Sequence, residues 1–168
     1  MSTRRTGLAM IVLAWLVVGG LLVLMFTRVL EDRENPNRNP ATRIDGSQIE
    51  VTLRRNRAGH FVANGEINGA DAVFLLDTGA TDVVVSAELA ARAGLKRLRA
   101  ARASTAAGTI TVFDTRIDRV ALGDIVLRDV NASINPHMQG RDVLLGMSFL
   151  GQLELTQRDG TLTLRHAE

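Results

Sequence analysis

Val73-Phe74-Leu75-Leu76-Asp77-Thr78-Gly79-Ala80-Thr81 sets an acid directly after an apolar run, and a hydroxyl and a glycine directly after the acid. A short apolar run bounded by turn residues reads as a strand, so Asp77 falls at a partly buried turn where a strand ends. Asp, Thr and Gly all favour turns, and an Asx or Ser/Thr turn bonded to nearby backbone amides accounts for the tripeptide taken alone. Whether it carries chemistry depends on its surroundings.

Upstream, residues 48–54 alternate strictly, with Ile49, Val51 and Leu53 on one face and Gln48, Glu50, Thr52 and Arg54 on the other, the pattern of a half-buried strand. A second strand is expected over 60–67, and Asn68-Gly69 suits a tight type I′ turn into 72–76. Further strands are expected at 83–85, 110–113, 117–120, 125–127, 130–134, 143–145, 153–156 and 161–165, with Asp159-Gly160 turning between the last two. Ser86 can cap a helix over 87–93 that Gly94 ends, and a second short helix can begin at Ser148. Many short strands with turns between them predict a mainly β domain, a compact antiparallel barrel or sandwich.

At the other end, Arg4 and Arg5 precede residues 8–26, a stretch without one charge and about the length that crosses a hydrocarbon core as a helix. The stretch is apolar on every face, which argues against a core helix, and Met25-Phe26-Thr27-Arg28 lacks the small residues of a signal cleavage site. The expected organisation is a cytoplasmic tail over 1–7, a transmembrane helix over 8–27, a solvated tether over 28–46 with Pro36 and Pro40, and a folded domain over 47–168. The arginines at the start favour a cytoplasmic N-terminus, hence an inner-membrane protein with its domain in the periplasm if the source is Gram-negative.

Composition narrows the chemistry further. The chain has 168 residues, 46% of them hydrophobic, so one domain with its own core is expected. There is no cysteine, which excludes a disulfide framework, a thiol nucleophile and thiolate metal sites. A net charge of +2 gives no broad attraction to nucleic acid, and the densest basic run, Lys96-Arg97-Leu98-Arg99 with Arg102, has no aromatic beside it. His60, His137 and His166 lie too far apart in sequence for a motif of metal ligands, so no metal and no cofactor are expected. Ser86, Ser104, Ser133 and Ser148 lack a nucleophile-elbow context, and Gly65, Gly69, Gly79 and Gly94 form no phosphate loop.

Residues 74–80, Phe-Leu-Leu-Asp-Thr-Gly-Ala, resemble the active-site motif of retroviral-type (retropepsin-like) aspartic proteases. Val143-Leu144-Leu145-Gly146 resembles the apolar-apolar-Gly element that the family carries further along the chain. Between them, Ser104-Thr105-Ala106-Ala107-Gly108-Thr109 stands where the family has its flap. From about 47 to 165, including Leu-Leu-Gly-Met-Ser-Phe-Leu at 144–150, the chain is similar to the single-pass bacterial members. The resemblance implies a closed β barrel with one or two short helices and Asp77 as the catalytic acid. It further implies that Thr78, Gly79 and Ala80 support the acid, that Thr105, Ala106, Ala107 and Gly108 form the flap and bind substrate, and that Leu145 and Gly146 are structural residues near the site. Two departures stand out: Met147 follows the glycine where retroviral enzymes commonly have arginine, and the chain ends differ from those that such enzymes weave between subunits.

The implied chemistry needs two carboxylates that share a proton, one as base and one as acid on an attacking water. The chain has one matching motif, because Asp114-Thr115-Arg116 has arginine where glycine would let the backbone approach. The second Asp77 is therefore expected from another copy of the chain, and a homodimer acting on polypeptide substrates follows. The competing reading is a membrane-tethered peptide-binding or dimerisation module that keeps the fold without turnover. On the anchoring expectation, the full chain should stay with carbonate-washed membranes, whereas a chain starting at Arg28 should appear in the soluble fraction.

Overall fold

The computed structural model describes residues 3–105 and 108–167. A long helix α1 (Thr3–Glu34) is followed by a domain made of eleven strands and two short helices. Over Met10–Glu34 the helix is long and apolar enough to cross a membrane, and its most apolar stretch is not buried against the domain. At about 1.5 Å rise per residue, its 32 residues exceed the thickness of a hydrocarbon core.

The smaller of two sheets is antiparallel and has the order β1-β2-β11-β10, with β1 (Ala41–Asp45), β2 (Gln48–Arg54), β10 (Glu154–Arg158) and β11 (Thr161–Ala167). Val51 and Leu53 of β2 are fully buried, as the alternation in that stretch requires, and Leu164 of β11 joins them. Arg165 sits opposite both Glu50 and Glu154 and is 2.8 Å from the former. The hydrogen bond and charge of Glu50 push the Arg165 guanidinium above its ordinary value.

The larger sheet has the order β3-β4-β9-β5-β8-β7-β6. Its strands are β3 (Val62–Ile67), β4 (Ala70–Leu76), β5 (Val83–Ser86), β6 (Ala100–Thr105), β7 (Gly108–Leu122), β8 (Ile125–Asn135) and β9 (Asp142–Leu145). Asn68 and Gly69 between β3 and β4 have φ of 49° and 82°, the left-handed pair that a type I′ turn needs. The same holds for Asp159 and Gly160, at 50° and 74°. One edge of β7 carries β6 over its first half and touches β3 at Glu66↔Ala121 and Ile67↔Val120, so the sheet curls until β3 meets β7. The expected closed barrel thus takes the form of a curled seven-stranded sheet with a four-stranded sheet beside it.

The core fills this curl. Phe74, Ile67, Ile117, Ile134 and Leu145 from the strands are buried with Leu89 of α2 (Ala87–Arg92) and with Phe149 and Leu150 of α3 (Met147–Leu150). Ser86 caps α2 by accepting from the Leu89 N–H. Gly65 lies under the Phe74 ring and against the Ala121 carbonyl, so closely that a Cβ there would overlap both.

Three expectations change. The sheet is not wholly antiparallel, because β4–β9 and β5–β8 are parallel pairs. Strands expected at 110–113 and 117–120, and at 125–127 and 130–134, merge into the continuous β7 and β8. The tether expected over 28–46 is instead built into the structure: α1 runs to Glu34, Asn37 is buried and residues 41–45 form β1. Asn37 accounts for that. Its side chain donates to the Arg54 and Val62 carbonyls at 2.8 and 2.7 Å and accepts from the Arg54 N–H at 2.7 Å, tying the two sheets together.

Gly65→Ala should cost about 1–3 kcal/mol of stability, since Phe74 or β7 must shift to admit the methyl group. Urea denaturation of the detergent-solubilised protein, compared with wild type, measures it.

Candidate active site

Asp77 follows β4 directly, and its position is set by the parallel strand beside it. Leu76 pairs with Leu145, and the Asp77 N–H donates to the Leu145 carbonyl at 3.1 Å. The carboxylate, half-buried, accepts from the Gly79 N–H at 2.9 Å, and the Ala80 N–H donates to the Asp77 carbonyl at 3.2 Å. This is the Asx turn that the tripeptide permits. It holds one carboxylate oxygen towards the backbone and fixes the direction of the group.

The loop is then clamped from the far side. The Met147 N–H donates to the Ala80 carbonyl and the Ser148 N–H to the Thr81 carbonyl, each at 2.8 Å. Ser148 Oγ accepts from the Val83 N–H at 3.0 Å and donates to the Asn131 carbonyl at 2.7 Å. Between the two chain segments lies Gly146, fully enclosed. A Cβ on it would sit 2.7 Å from the Ala80 carbonyl oxygen and closer still to that of Asp82. No other residue fits there, although φ at Gly146 is an ordinary −87°. The requirement is space, not backbone freedom.

Six of the residues singled out from the sequence therefore meet: Asp77, Thr78, Gly79 and Ala80 on one loop, Leu145 and Gly146 on the strand end that seats it. Leu145 is fully buried, whereas Thr78 and Gly79 are exposed. Gly79 is short of space for another reason, since a Cβ would lie 3.1 Å from Asp77 Oδ1. Beside Thr78, a hollow of about 220 Å³ is lined by Phe61, Leu76, Leu150, Leu155, Leu162 and the polar Gln157. Met147, where the resemblance leads one to look for arginine, is 40% exposed. Its backbone N–H takes part in the clamp, which asks nothing of the side chain.

Thr105 and Gly108 pair as the last rungs of the β6–β7 hairpin, where the flap is expected. Ala106 and Ala107, at its tip, lie outside the described residues. Asp114 does not resemble Asp77 in its setting. It sits in the middle of β7, bonded through both backbone groups to 98–99 and paired with Arg99 at 3.2 Å, and Thr115 beside it is buried on the Lys96 carbonyl. Among the described residues no three His, Asp or Glu side chains converge as metal ligands would.

Ser148 and Asn37 escape a search for site residues by motif. A serine after Met147 carries no signal of its double hydrogen bond, because both partners, Val83 and Asn131, are distant in sequence. Asn37 lies in a stretch whose composition reads as linker.

Residues 63–152 match the family model described as gag-polyprotein putative aspartyl protease. Over 122 residues the chain is 32% identical to a Sinorhizobium protein described as an uncharacterized protein in the cobV 5′ region. The match takes in 70% of this chain and 52% of that protein, so the chain spans about half the length of the curated relative it matches. Among solved structures, a retropepsin-like aspartic protease from Rickettsia conorii overlays with a TM-score of 0.58 at 24% identity, covering 77% of this chain and 95% of the other. The EIAV protease complexed with the inhibitor HBY-793 overlays with a TM-score of 0.48 at 19% identity, over 59% and 92%. With a retropepsin-like fold and a family match running from β3 to the end of α3, through Asp77 and Gly146, the chain belongs to the gag-polyprotein putative aspartyl protease family.

Proposed function

We propose that the protein is an aspartic endopeptidase whose active site forms across a homodimer, each chain contributing Asp77. The observation that carries this reading is the seating of the single Asp-Thr-Gly loop. A carboxylate is fixed by Gly79 and clamped from behind through Gly146, with Thr78 and Gly79 exposed on its open side. A binding module has no physical need for that geometry. A hydrolase that requires a second carboxylate does.

With two Asp77 side chains a few ångströms apart, ionising both is costly, so the pair holds one proton between them. The ionised member takes a proton from a water, whose oxygen adds to the peptide carbonyl carbon. The protonated member gives its hydrogen to the carbonyl oxygen. Collapse of the tetrahedral species then breaks the C–N bond as the amine nitrogen gains a proton. Thr78 is proposed to lock the two loops together, with the apolar hollow beside it packing near the partner. The β6–β7 hairpin, with Thr105, Ala106, Ala107 and Gly108, is proposed to close over an extended polypeptide that pairs with the site as an added strand.

In this reading α1 is an uncleaved anchor, spanning over about residues 8–27 after a cytoplasmic tail at 1–7. The domain faces the periplasmic side of an inner membrane, supported by the arginines at 4 and 5. The folded unit starts earlier than residue 47, because Asn37 and β1 belong to it. Holding two chains in one bilayer raises their effective concentration and favours the dimer.

Asp77→Asn should keep fold and dimer while lowering turnover of a peptide library by at least about a hundredfold, the usual worth of a positioned acid–base group. Full turnover in that variant would exclude the mechanism. Gly146→Ala should also abolish cleavage, but by displacing the 77–82 loop, and so with a lower melting temperature that Asp77→Asn does not share.

A further inference from the structure

Successive side chains on a strand point to opposite faces, so Leu75 and Val73 share one face of β4, and Asp77 comes two residues after Leu75, just past the end of the strand. The register sets Val62 and Asn64 of β3 opposite Leu75 and Val73, and Leu144 and Asp142 of β9 opposite the same two. These residues floor a cleft of about 720 Å³. It begins at Leu75, roughly 7 Å along the strand from the catalytic position at about 3.3 Å per residue. A cleft of this size is in the range of sites that enclose a ligand larger than one side chain. Its lining is completed from outside the two sheets. Glu34, Asn35 and Arg38 form one wall, and the loops carrying His60 and Arg141 add to the lining.

The wall is held in place by a specific set of bonds. Asn37, only 4% exposed, bridges in parallel to Ala63, and its carbonyl accepts from the Asn64 N–H at 3.1 Å. Its side chain binds Arg54 and Val62 as described, its N–H donates to Asn35 Oδ1, and Asn35 Nδ2 donates to Asn64 Oδ1 at 2.8 Å. The Glu34 carbonyl, at the end of α1, accepts from Asn56 Nδ2 at 2.9 Å. No residue of slack separates the helix from the cleft, since Glu34 belongs to both.

We infer that the juxtamembrane segment 34–38 is a specificity element of the active site, one wall of the substrate cleft, with Asn37 as the residue that positions it. The inference rests on the protease reading above. The lining is apolar at Val62, Leu75 and Leu144, the part nearest to Asp77 along β4 and β9, and polar at Asn64, Asp142 and the wall. The substrate class it fits is an extended polypeptide with a branched aliphatic or aromatic residue beside the scissile bond. Cleavage preference is then set partly by the segment that joins the domain to its helix.

The test uses the full chain in detergent micelles, as wild type, Asn37→Ala and Arg38→Ala, with a peptide library varied at one position at a time around the cleavage point. The expected result is a roughly tenfold loss of discrimination between large apolar and small residues at one position, in kcat/KM, with other positions unmoved. Arg38→Ala should shift the same position. A uniform fall across all peptides, or an unchanged profile in folded variants, overturns the inference and leaves the protease reading standing. Should Asn37→Ala fail to fold, the Arg38→Ala profile decides. Binding of the same peptides to Asp77→Asn, with and without Asn37→Ala, separates the two ideas. Peptides bound with an Asn37-dependent preference but never cleaved by wild type would sink the protease reading alone, and peptides neither cleaved nor bound would sink both.

Discussion

The close approach of two backbone segments at Gly146 is the constraint on which the site depends. β9 runs parallel to β4 and ends beside Asp77, and its continuation must pass under the 77–82 loop closely enough for Met147 and Ser148 to bond the carbonyls of Ala80 and Thr81. Only a residue without a side chain can occupy the crossing, because a Cβ there meets backbone oxygens that cannot move away cheaply. The loop is therefore held from behind by four well-aligned hydrogen bonds, counting those of Asp77 N–H and Val83 N–H. Its front is left open. Rigid backing with an exposed face suits a carboxylate that must keep its direction while meeting something outside its own chain.

The rest of the larger sheet serves that crossing. Parallel pairs cannot be joined by a tight turn, and the chain between β4 and β9 is spent on β5, α2, the β6–β7 hairpin and β8. β5 in turn pairs with β9 on its other side, so β9 is gripped by both of its neighbours and its end has little freedom. Phe149 and Leu150, immediately beyond, are buried in the core and fix the exit direction. The Asp77 loop is thus positioned by core packing, and a change in that packing should reach the carboxylate through very few bonds.

Asn37 plays the corresponding part at the domain's entry. The edge of β3 that faces away from β4 is paired with β7 only at Glu66 and Ile67, so no strand covers it at Val62–Asn64, and an open strand edge invites pairing with other chains. Asn37 covers it and at the same time satisfies Arg54 of the smaller sheet. A neutral side chain with both a donor and an acceptor is needed for this, since it must give to two carbonyls and take from an N–H. The long helix is thereby joined to the domain through residues 35–40, which brings the end of the helix to the rim of the cleft.

Much of this architecture is legible in the order of residues alone. Strict alternation over 48–54, the Asn68-Gly69 and Asp159-Gly160 turns, the Ser86 cap and the uncharged stretch at 8–26 are local signals, and each corresponds to the element expected, because backbone conformation and side-chain period act within a few residues. The Asp-Thr-Gly loop and the Leu-Leu-Gly element are likewise visible as a pair. What the sequence does not convey is contact between distant segments: the parallel pairing of β4 with β9, the fusion of short strands into β7 and β8, the hydrogen bonds of Ser148, and the capture of Asn37 by β2 and β3. Residues 35–40 read as linker from their polar side chains and prolines, and the partners that tie Asn35 and Asn37 into the domain lie 17 to 29 residues away. The sequence by itself determined most of the segments that form strands, though not β1 or β6, and where the acid stands. Tertiary structure alone decided what holds that acid in place and which segment walls the cleft beside it, because both rest on hydrogen bonds and excluded volume between parts of the chain that meet only on folding.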